Sequence, residues 1–337
     1  MSWQHVTLGQ RVLFGTGEAA AHLAAEVERL GAQRVLLIAE EGIADEVTSK
    51  VDVAARVTDV APHVPLANAQ RAREQAAGAD LLVSVGGGST TGLAKAVALT
   101  TGLPIVAVPT TYAGSEATNV WGLTEASRKT TGSDDRVLPV TVIYDAALTA
   151  SLPDDLAIAS GCNALAHCVD SMWAPRADPI NQALATAGIR ALSSGLRAIG
   201  SLAGREQTLY GAYLSAVAFA SAGSGLHHKI CHVLGGAYDL PHAQTHTAIL
   251  PYVLAFNAPA APDAAGRVAS ALGGDLISLY DEIGASHVLR GVPDVSAAAD
   301  LILPSVPVSN PRPVTKEDLV TLLAAATAGL NPSGAFA

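Results

Sequence analysis

Over the first 150 residues, short apolar runs alternate with longer amphipathic stretches. Arg34–Ala39, Leu81–Val85, Ile105–Val108 and Val140–Tyr144 are rich in Val, Ile and Leu. They are too short for helices and read as buried strands. Between them, the stretches from Glu18 to Leu30, Asn68 to Ala77 and Thr90 to Thr101 carry helical spacing. Strand–helix–strand alternation predicts a doubly wound parallel sheet. Trp121–Glu125 and Arg128–Gly132 predict a hairpin. The pattern changes at Ser151-Leu-Pro-Asp-Asp155, where Ser151 can cap a helix and Pro153 suits its first turn. Beyond it the chain is Ala- and Leu-rich with helical spacing, broken by loops at Pro175–Pro179, Gly235–Pro241, Ala258–Pro262 and Pro304–Pro313. The expected organisation is an α/β domain over 1–151 and an all-helical domain over 152–337, ending in a frayed tail from Asn331.

Composition fits this picture. The 337 residues are 50% hydrophobic and only 4% aromatic, the usual makeup of a parallel sheet packed by helices. A formal charge of −10, with no basic stripe, argues against nucleic acid as a partner. It also means that an anionic substrate needs local positive charge. The N-terminus does not read as a signal peptide, and no apolar run is long enough to span a membrane. Cys162, Cys168 and Cys231 form no disulfide framework and read as buried thiols in a reducing cytoplasm.

The run Leu81–Val85 leads straight into Gly86-Gly-Gly-Ser-Thr-Thr-Gly92 and then a helix. Glycines let a backbone approach a ligand closely, and the free N–H groups of the following helix attract an anion. Gly86, Gly87, Gly88, Ser89 and Thr90 are therefore candidates for gripping a pyrophosphate. Ile105–Val108 ends in a second polar loop, Pro109–Thr118, which adds Thr110, Thr111 and Ser115. Ligands bind beyond the carboxyl ends of parallel strands, so two such loops make a nucleotide cleft. Glu40, ending its strand, is placed to hydrogen-bond an adenosine ribose. A carboxylate there repels a 2′-phosphate, so NADH is the expected cofactor, with NADPH a second acceptable donor.

Six of the ten histidines lie between His167 and His246. Gly225-Leu-His-His-Lys-Ile-Cys-His-Val-Leu-Gly-Gly-Ala-Tyr-Asp-Leu-Pro-His242 holds four of them, with His246 one turn on. Upstream, Asn163 and His167 are four apart and share a helix face. Such a concentration of groups that exchange protons and ligate metals marks a site of chemistry.

Taken together, Gly86–Ser89, Pro109-Thr-Thr111 with Gly114-Ser-Glu116, and His232 with Pro241-His242 resemble the iron-containing (group III) alcohol dehydrogenase superfamily, more closely its maleylacetate reductases. Trp121–Glu125, Gly225–Lys229, Cys231–Gly236 and Asn310–Pro313 strengthen the likeness, which runs from about Arg11 to Leu330. It implies a nicotinamide-binding α/β domain, a helical catalytic domain, an active site in the cleft between them, and a homodimer. It implies reduction of 2-maleylacetate to 3-oxoadipate in bacterial degradation of aromatic compounds. It also assigns Lys129 to the cofactor. Metal-dependent members bind a divalent ion through one aspartate and three histidines, which correspond to Asn163, His167, His232 and His242. Asn163 stands where the aspartate is expected. A neutral amide is a poor ligand for a hard dication, so no metal is expected. Gly92 is a second departure, since alcohol-reducing members often carry an aspartate there.

Maleylacetate is an enone bearing two carboxylates. Hydride addition to its alkene develops an enolate oxyanion, and the adjacent carbon is then protonated. His167, His228, His232, His242 and Asn163 are the catalytic candidates, and which histidine donates the proton is open. Lys229 and Arg312 are candidates for the substrate carboxylates, with Tyr112 and His246 adding hydrogen bonds. The alternatives are a metal-dependent alcohol dehydrogenase on the same fold, or a nucleotide-binding protein without chemistry.

Overall fold

The computed structural model describes residues 3–336 apart from 41, 43, 126 and 127, and the side chains of 128 and 129 also fall outside the described residues. The chain divides into two compact units, Leu8–Leu152 and the segments Met1–Thr7 with Pro153–Ala337.

The first unit contains strands β1 (Arg11–Phe14), β2 (Val35–Ala39), β3 (Val53–Val57), β4 (Leu81–Gly86), β5 (Ile105–Pro109), β6 (Val120–Glu125), β7 (Arg128–Ser133) and β8 (Thr141–Tyr144). Its helices are α1 (Ala19–Leu30), α2 (Leu66–Gln75) and α3 (Gly88–Thr101). Six strands form one sheet in the order β1-β8-β5-β4-β2-β3, and every pairing in it is parallel. Strand side chains alternate between faces, and the sequence uses both. Leu36, Ile38 and Leu82 pack with Leu93 and Val97 of α3, while Val35, Leu37, Leu81 and Val83 pack with Leu23 of α1. Each such aliphatic side chain contributes roughly 1.5–3 kcal/mol on burial. Helices on both faces make the sheet doubly wound, as the sequence predicts.

The hairpin forms as an antiparallel pair of β6 with β7. Two sheet strands escape sequence reading. β1 and β3 are edge strands with polar or exposed positions, Arg11, Phe14, Ala54 and Arg56 among them, so neither presents a continuous apolar run. The strand order changes direction between β2 and β4, the kind of switch point where an open α/β sheet binds ligands.

In the second unit, α4 (Asp154–Ser171), α5 (Pro179–Arg197), α6 (Leu202–Ala222), α7 (Leu226–Tyr238) and α8 (His242–Asn257) carry the features that matter for chemistry. Ser151 does not cap α4; Pro153 occupies that position. Asp178 caps α5 in a reciprocal capping box with Asn181, and it also accepts a 2.8 Å hydrogen bond from His5, which ties the first residues to this unit. The loop expected from Gly235 begins only after Tyr238, because α7 continues that far. The expected frayed tail is instead a short helix, Pro332–Ala335, capped by Asn331, and Phe336 packs edge-on against Phe256 at 5.4 Å.

Candidate active site

The glycine-rich loop after β4 and the polar loop after β5, the sequence's candidates for the cofactor, belong to the first unit. Register places Gly86 beside Pro109 and Val85 beside Ala39, so the loops after β2, β4 and β5 leave the sheet along one carboxyl edge. Gly86 has φ +152°, and a Cβ there would lie 2.5 Å from the Thr90 Oγ1. Side chains at Gly87 and Gly88 would press on Thr111 and Ala113, at 3.2 and 3.3 Å. Lacking Cβ atoms, these glycines let the second loop close on the first. Their N–H groups then open α3 toward an anion. Ser89 and Thr90 lie in the first turn of α3, while Thr110, Thr111 and Ser115 follow β5.

A buried lysine holds the two loops in register. Lys95 of α3 is fully buried, and its Nζ donates to the carbonyls of Thr118 and Val120, both at 2.8 Å, and to Thr118 Oγ1 at 3.1 Å. Burial pushes its pKa down to about 7, opposed by the nearby Glu116 carboxylate. Glu116, itself buried, accepts a 2.8 Å hydrogen bond from the Tyr144 hydroxyl. Sequence reading missed Lys95, although a lysine inside the apolar run Leu93–Ala98 is a visible signal of a buried, partnered charge.

Exposed Glu40 lines a cavity of about 220 Å³ with Leu37, Gly42, Asp45, Arg56 and Thr58. Whole-ligand pockets run to roughly 300–1,000 Å³, so this cavity suits one end of a dinucleotide. Arg56 is already paired with Asp45 at 2.7 Å. Tyr112 is fully buried, and its hydroxyl donates to Thr149 Oγ1 at 3.3 Å. Lys129 lies on β7, and its side chain falls outside the described residues.

The histidines belong to the second unit. Asn163, His167 and Asp170 lie at helical spacing on α4; His227, His228 and His232 lie on α7; His242 and His246 open α8. Asp239, in the left-handed conformation at φ 50°, ends α7 and turns the chain into α8. A short polar side chain tolerates that conformation. The turn lets His232 and His242 face each other with ring centroids 6.4 Å apart. His228 lies 4.8 Å from His167 and 4.7 Å from His246, and His242 lies 4.4 Å from His246. The structure thus brings all six sequence-predicted histidines into one cluster.

Burial dominates its electrostatics. Desolvation pushes His167 and His227 down to about 3, with neighbouring histidines adding to the effect. His228 and His246 are held well below the usual imidazole range for the same reasons. All four are therefore neutral near pH 7, whereas His232 and His242 remain exposed. The thiols of Cys162, Cys168 and Cys231 are buried and free, and burial raises the first to about 12.

Two internal links order the cluster. One ring of the pair His227 Nε2 and His246 Nδ1 donates to the other across 2.9 Å. Asp170 Oδ2 lies 2.7 Å from His228 Nδ1 and also accepts from the backbone N–H groups of Gly225 and His228, at 3.0 and 3.1 Å. Burial raises the Asp170 carboxyl to about 7 against the pull of these N–H groups. Lys229, half-buried on α7, is close enough to lower it. Arg312 is not brought to the cluster. It stacks 4.3 Å over Phe256, ten residues beyond His246 on α8 or about 15 Å along the axis.

Asn163 Oδ1, His167 Nδ1, His228 Nε2 and His246 Nε2 are buried without a hydrogen-bond partner. Unsatisfied buried polar atoms are costly and call for an explanation. Nitrogens of His227, His228 and His246 lie within 4.8 Å of one another. Neutral imidazoles suit divalent transition metals, and Asp170 behind His228 supplies the carboxylate partner that metal-ligating histidines commonly have. The donor set fits a metal.

Comparison with known proteins decides the family. Residues 9–146 match the profile described as iron-containing alcohol dehydrogenase, and residues 157–327 match the C-terminal region of the Fe-containing alcohol dehydrogenase family. The chain belongs to the iron-containing alcohol dehydrogenase family. This membership corrects the expectation that no metal takes part: the family is an iron-containing one. Maleylacetate reductase from Sphingobium indicum is 43% identical over 350 residues, covering 98% of this chain and 99% of that protein. The crystal structure of an iron-containing alcohol dehydrogenase from Corynebacterium glutamicum superposes with a TM-score of 0.96 at 55% identity, covering 99% of each chain. That of maleylacetate reductase from Rhizobium sp. strain MTP-10005 gives 0.92 at 40% identity, covering 98% of this chain and 100% of that one.

Two outcomes follow for this family member. Gly86→Ala carries roughly 1–2 kcal/mol of backbone strain and displaces Thr90, so the NADH Kd should rise about tenfold. A fluorescence titration reads this, and an unchanged Kd removes the loop from the cofactor site. Asn163→Asp should tighten binding of a divalent ion by about tenfold, the scale on which changes around ligating histidines alter affinity. Competition against a chromophoric chelator measures it, and equal affinity in both proteins separates Asn163 from the donor set.

Proposed function

We propose that this protein reduces 2-maleylacetate to 3-oxoadipate with NADH, accepting NADPH as a second donor, in the bacterial degradation of aromatic compounds. The observation that carries the reading is similarity to maleylacetate reductase along essentially the whole chain, 43% identity over 98% of it. The histidine cluster supplies the chemistry the reaction needs.

The α/β unit holds the cofactor. Gly86–Thr90 binds the pyrophosphate on the open N–H groups of α3, with Thr110, Thr111 and Ser115 on the second loop. Glu40 hydrogen-bonds the adenosine ribose, and its charge disfavours a 2′-phosphate. Lys129 serves the same cofactor.

Hydride passes from nicotinamide C4 to the alkene carbon β to the ketone. The C=C electrons move into the C–C(O) unit, and negative charge appears on the ketone oxygen. Imidazole N–H groups of the cluster hydrogen-bond that oxyanion, and the carbon adjacent to the carbonyl then takes a proton. His232 and His242 are the better proton donors, since both are exposed and can be recharged from solvent, whereas burial keeps the other four rings neutral. Lys229 offers positive charge for a substrate carboxylate. His227, His228 and His246 are the residues whose nitrogens converge closely enough to share a metal ion. His167, His232 and His242 are those the family resemblance adds. When bound, a divalent ion supplies Lewis-acid stabilisation of negative charge on a substrate oxygen.

The enzyme is expected to be a cytoplasmic homodimer. Among the described residues, no helix is long and apolar enough to cross a membrane.

NADH oxidation with freshly generated maleylacetate tests the reading, and absence of turnover with protein that binds NADH contradicts it. Replacing His232 or His242 with Ala should lower kcat by at least about a hundredfold while NADH affinity stays near that of the parent. Near-normal kcat with weakened NADH binding in both variants would place the cluster outside the chemistry.

A further inference from the structure

Asp170 is tied directly to the histidine cluster through His228, and its position is built. Its side chain is fully buried on α4. It receives the backbone N–H groups of Gly225 and His228 on Oδ2, at 3.0 and 3.1 Å, and that of His227 on Oδ1 at 3.4 Å. These donors clamp the carboxylate to the first turn of α7. A Cβ on Gly225 would lie 2.5 Å from Asp170 Oδ1, so only glycine lets the helix start so close to the carboxylate. His228 is 2% exposed; its Nδ1 lies 2.7 Å from Asp170 Oδ2, and its Nε2 is buried with no partner.

An acceptor already surrounded by N–H donors takes the imidazole proton as a further donor. The neutral His228 ring then carries its hydrogen on Nδ1 and a lone pair on Nε2. We propose that Asp170 is a positioning residue that fixes His228 as the Nδ1–H tautomer, so that His228 meets the reacting groups or a metal ion only as an electron-pair donor through Nε2. His228 is then a ligand or proton acceptor in the cluster. It is not one of the N–H groups that stabilise the oxyanion, and that work falls to its neighbours. Hydrogen-bonded partners of this kind orient ligating and catalytic histidines, and removing them typically costs 10–100-fold in affinity or activity. The inference rests on the cluster being the catalytic site, but the tautomer itself can be read without any substrate.

The test has two readouts. ¹⁵N NMR of histidine-labelled protein, with the His228 signals identified by their loss in His228→Gln, reports which nitrogen bears the proton. The expected result is a protonated Nδ1 that couples to its own hydrogen, and an Nε2 that does not. A protonated Nε2 overturns the proposal, and this reading needs only the unmodified fold. The second readout is Asp170→Asn. Its amide can present an N–H to His228 Nδ1 and so force the opposite tautomer. It should show the Nε2–H form, a kcat lowered about 10- to 100-fold and an unchanged NADH Kd. Asp170→Glu, which keeps the carboxylate, should retain the Nδ1–H form. Asp170→Asn with the parent's tautomer and kcat also overturns the proposal. If the parent fails to reduce maleylacetate yet shows Nδ1–H on His228, the proposed substrate is wrong and the positioning role stands.

Discussion

The cluster on α4, α7 and α8 is governed by the cost of putting charge where water cannot reach. His227 and His246 are completely buried and His228 nearly so, and an isolated buried charge is far more expensive than a neutral polar group. Desolvation therefore keeps these rings uncharged, and each must share hydrogen bonds with the others or leave a nitrogen facing a ligand. The pairs His227–His246 and His228–Asp170 follow from the first requirement. The orphaned nitrogens of His167, His228 and His246 follow from the second. Exposure of His232 and His242 leaves two rings able to exchange protons with solvent. One physical constraint thus separates the buried, uncharged rings from those that reach solvent.

The α/β unit solves a similar problem with a different group. Gly86, Gly87 and Gly88, from the end of β4 to the start of α3, carry no Cβ and so let the second loop pack close. The neighbouring loop is also held still. Lys95 holds it from within α3 by donating to carbonyls of Thr118 and Val120. Its ammonium is costly to bury, and those carbonyls with Glu116 offset the cost.

Much of this is legible in the sequence, and the reasons for the misses are physical. The buried strands announce themselves because both faces of a covered parallel sheet are apolar. Edge strands β1 and β3 do not, since one side of each meets solvent. Four of the histidines form the i, i+4 pairs His228/His232 and His242/His246, and Asn163/His167 adds a third such pair on α4. Asp170 is not, because its partners lie 55 to 58 residues away and only the fold reveals them. Arg312 misleads for the opposite reason: a cation between prolines looks available, yet it stacks on Phe256. Asn163 misleads as a sign of metal loss because it is a single position, whereas the fold brings nitrogens of His227, His228 and His246 within 4.8 Å of one another.

The account turns on where hydride goes. NADH deuterated at the transferable C4 position, incubated with maleylacetate and this protein, gives a product whose label NMR can locate. Addition to the conjugated double bond places deuterium on the carbon β to the ketone, with the carbonyl intact. Deuterium on a carbinol carbon would show reduction of the ketone itself and contradict the account.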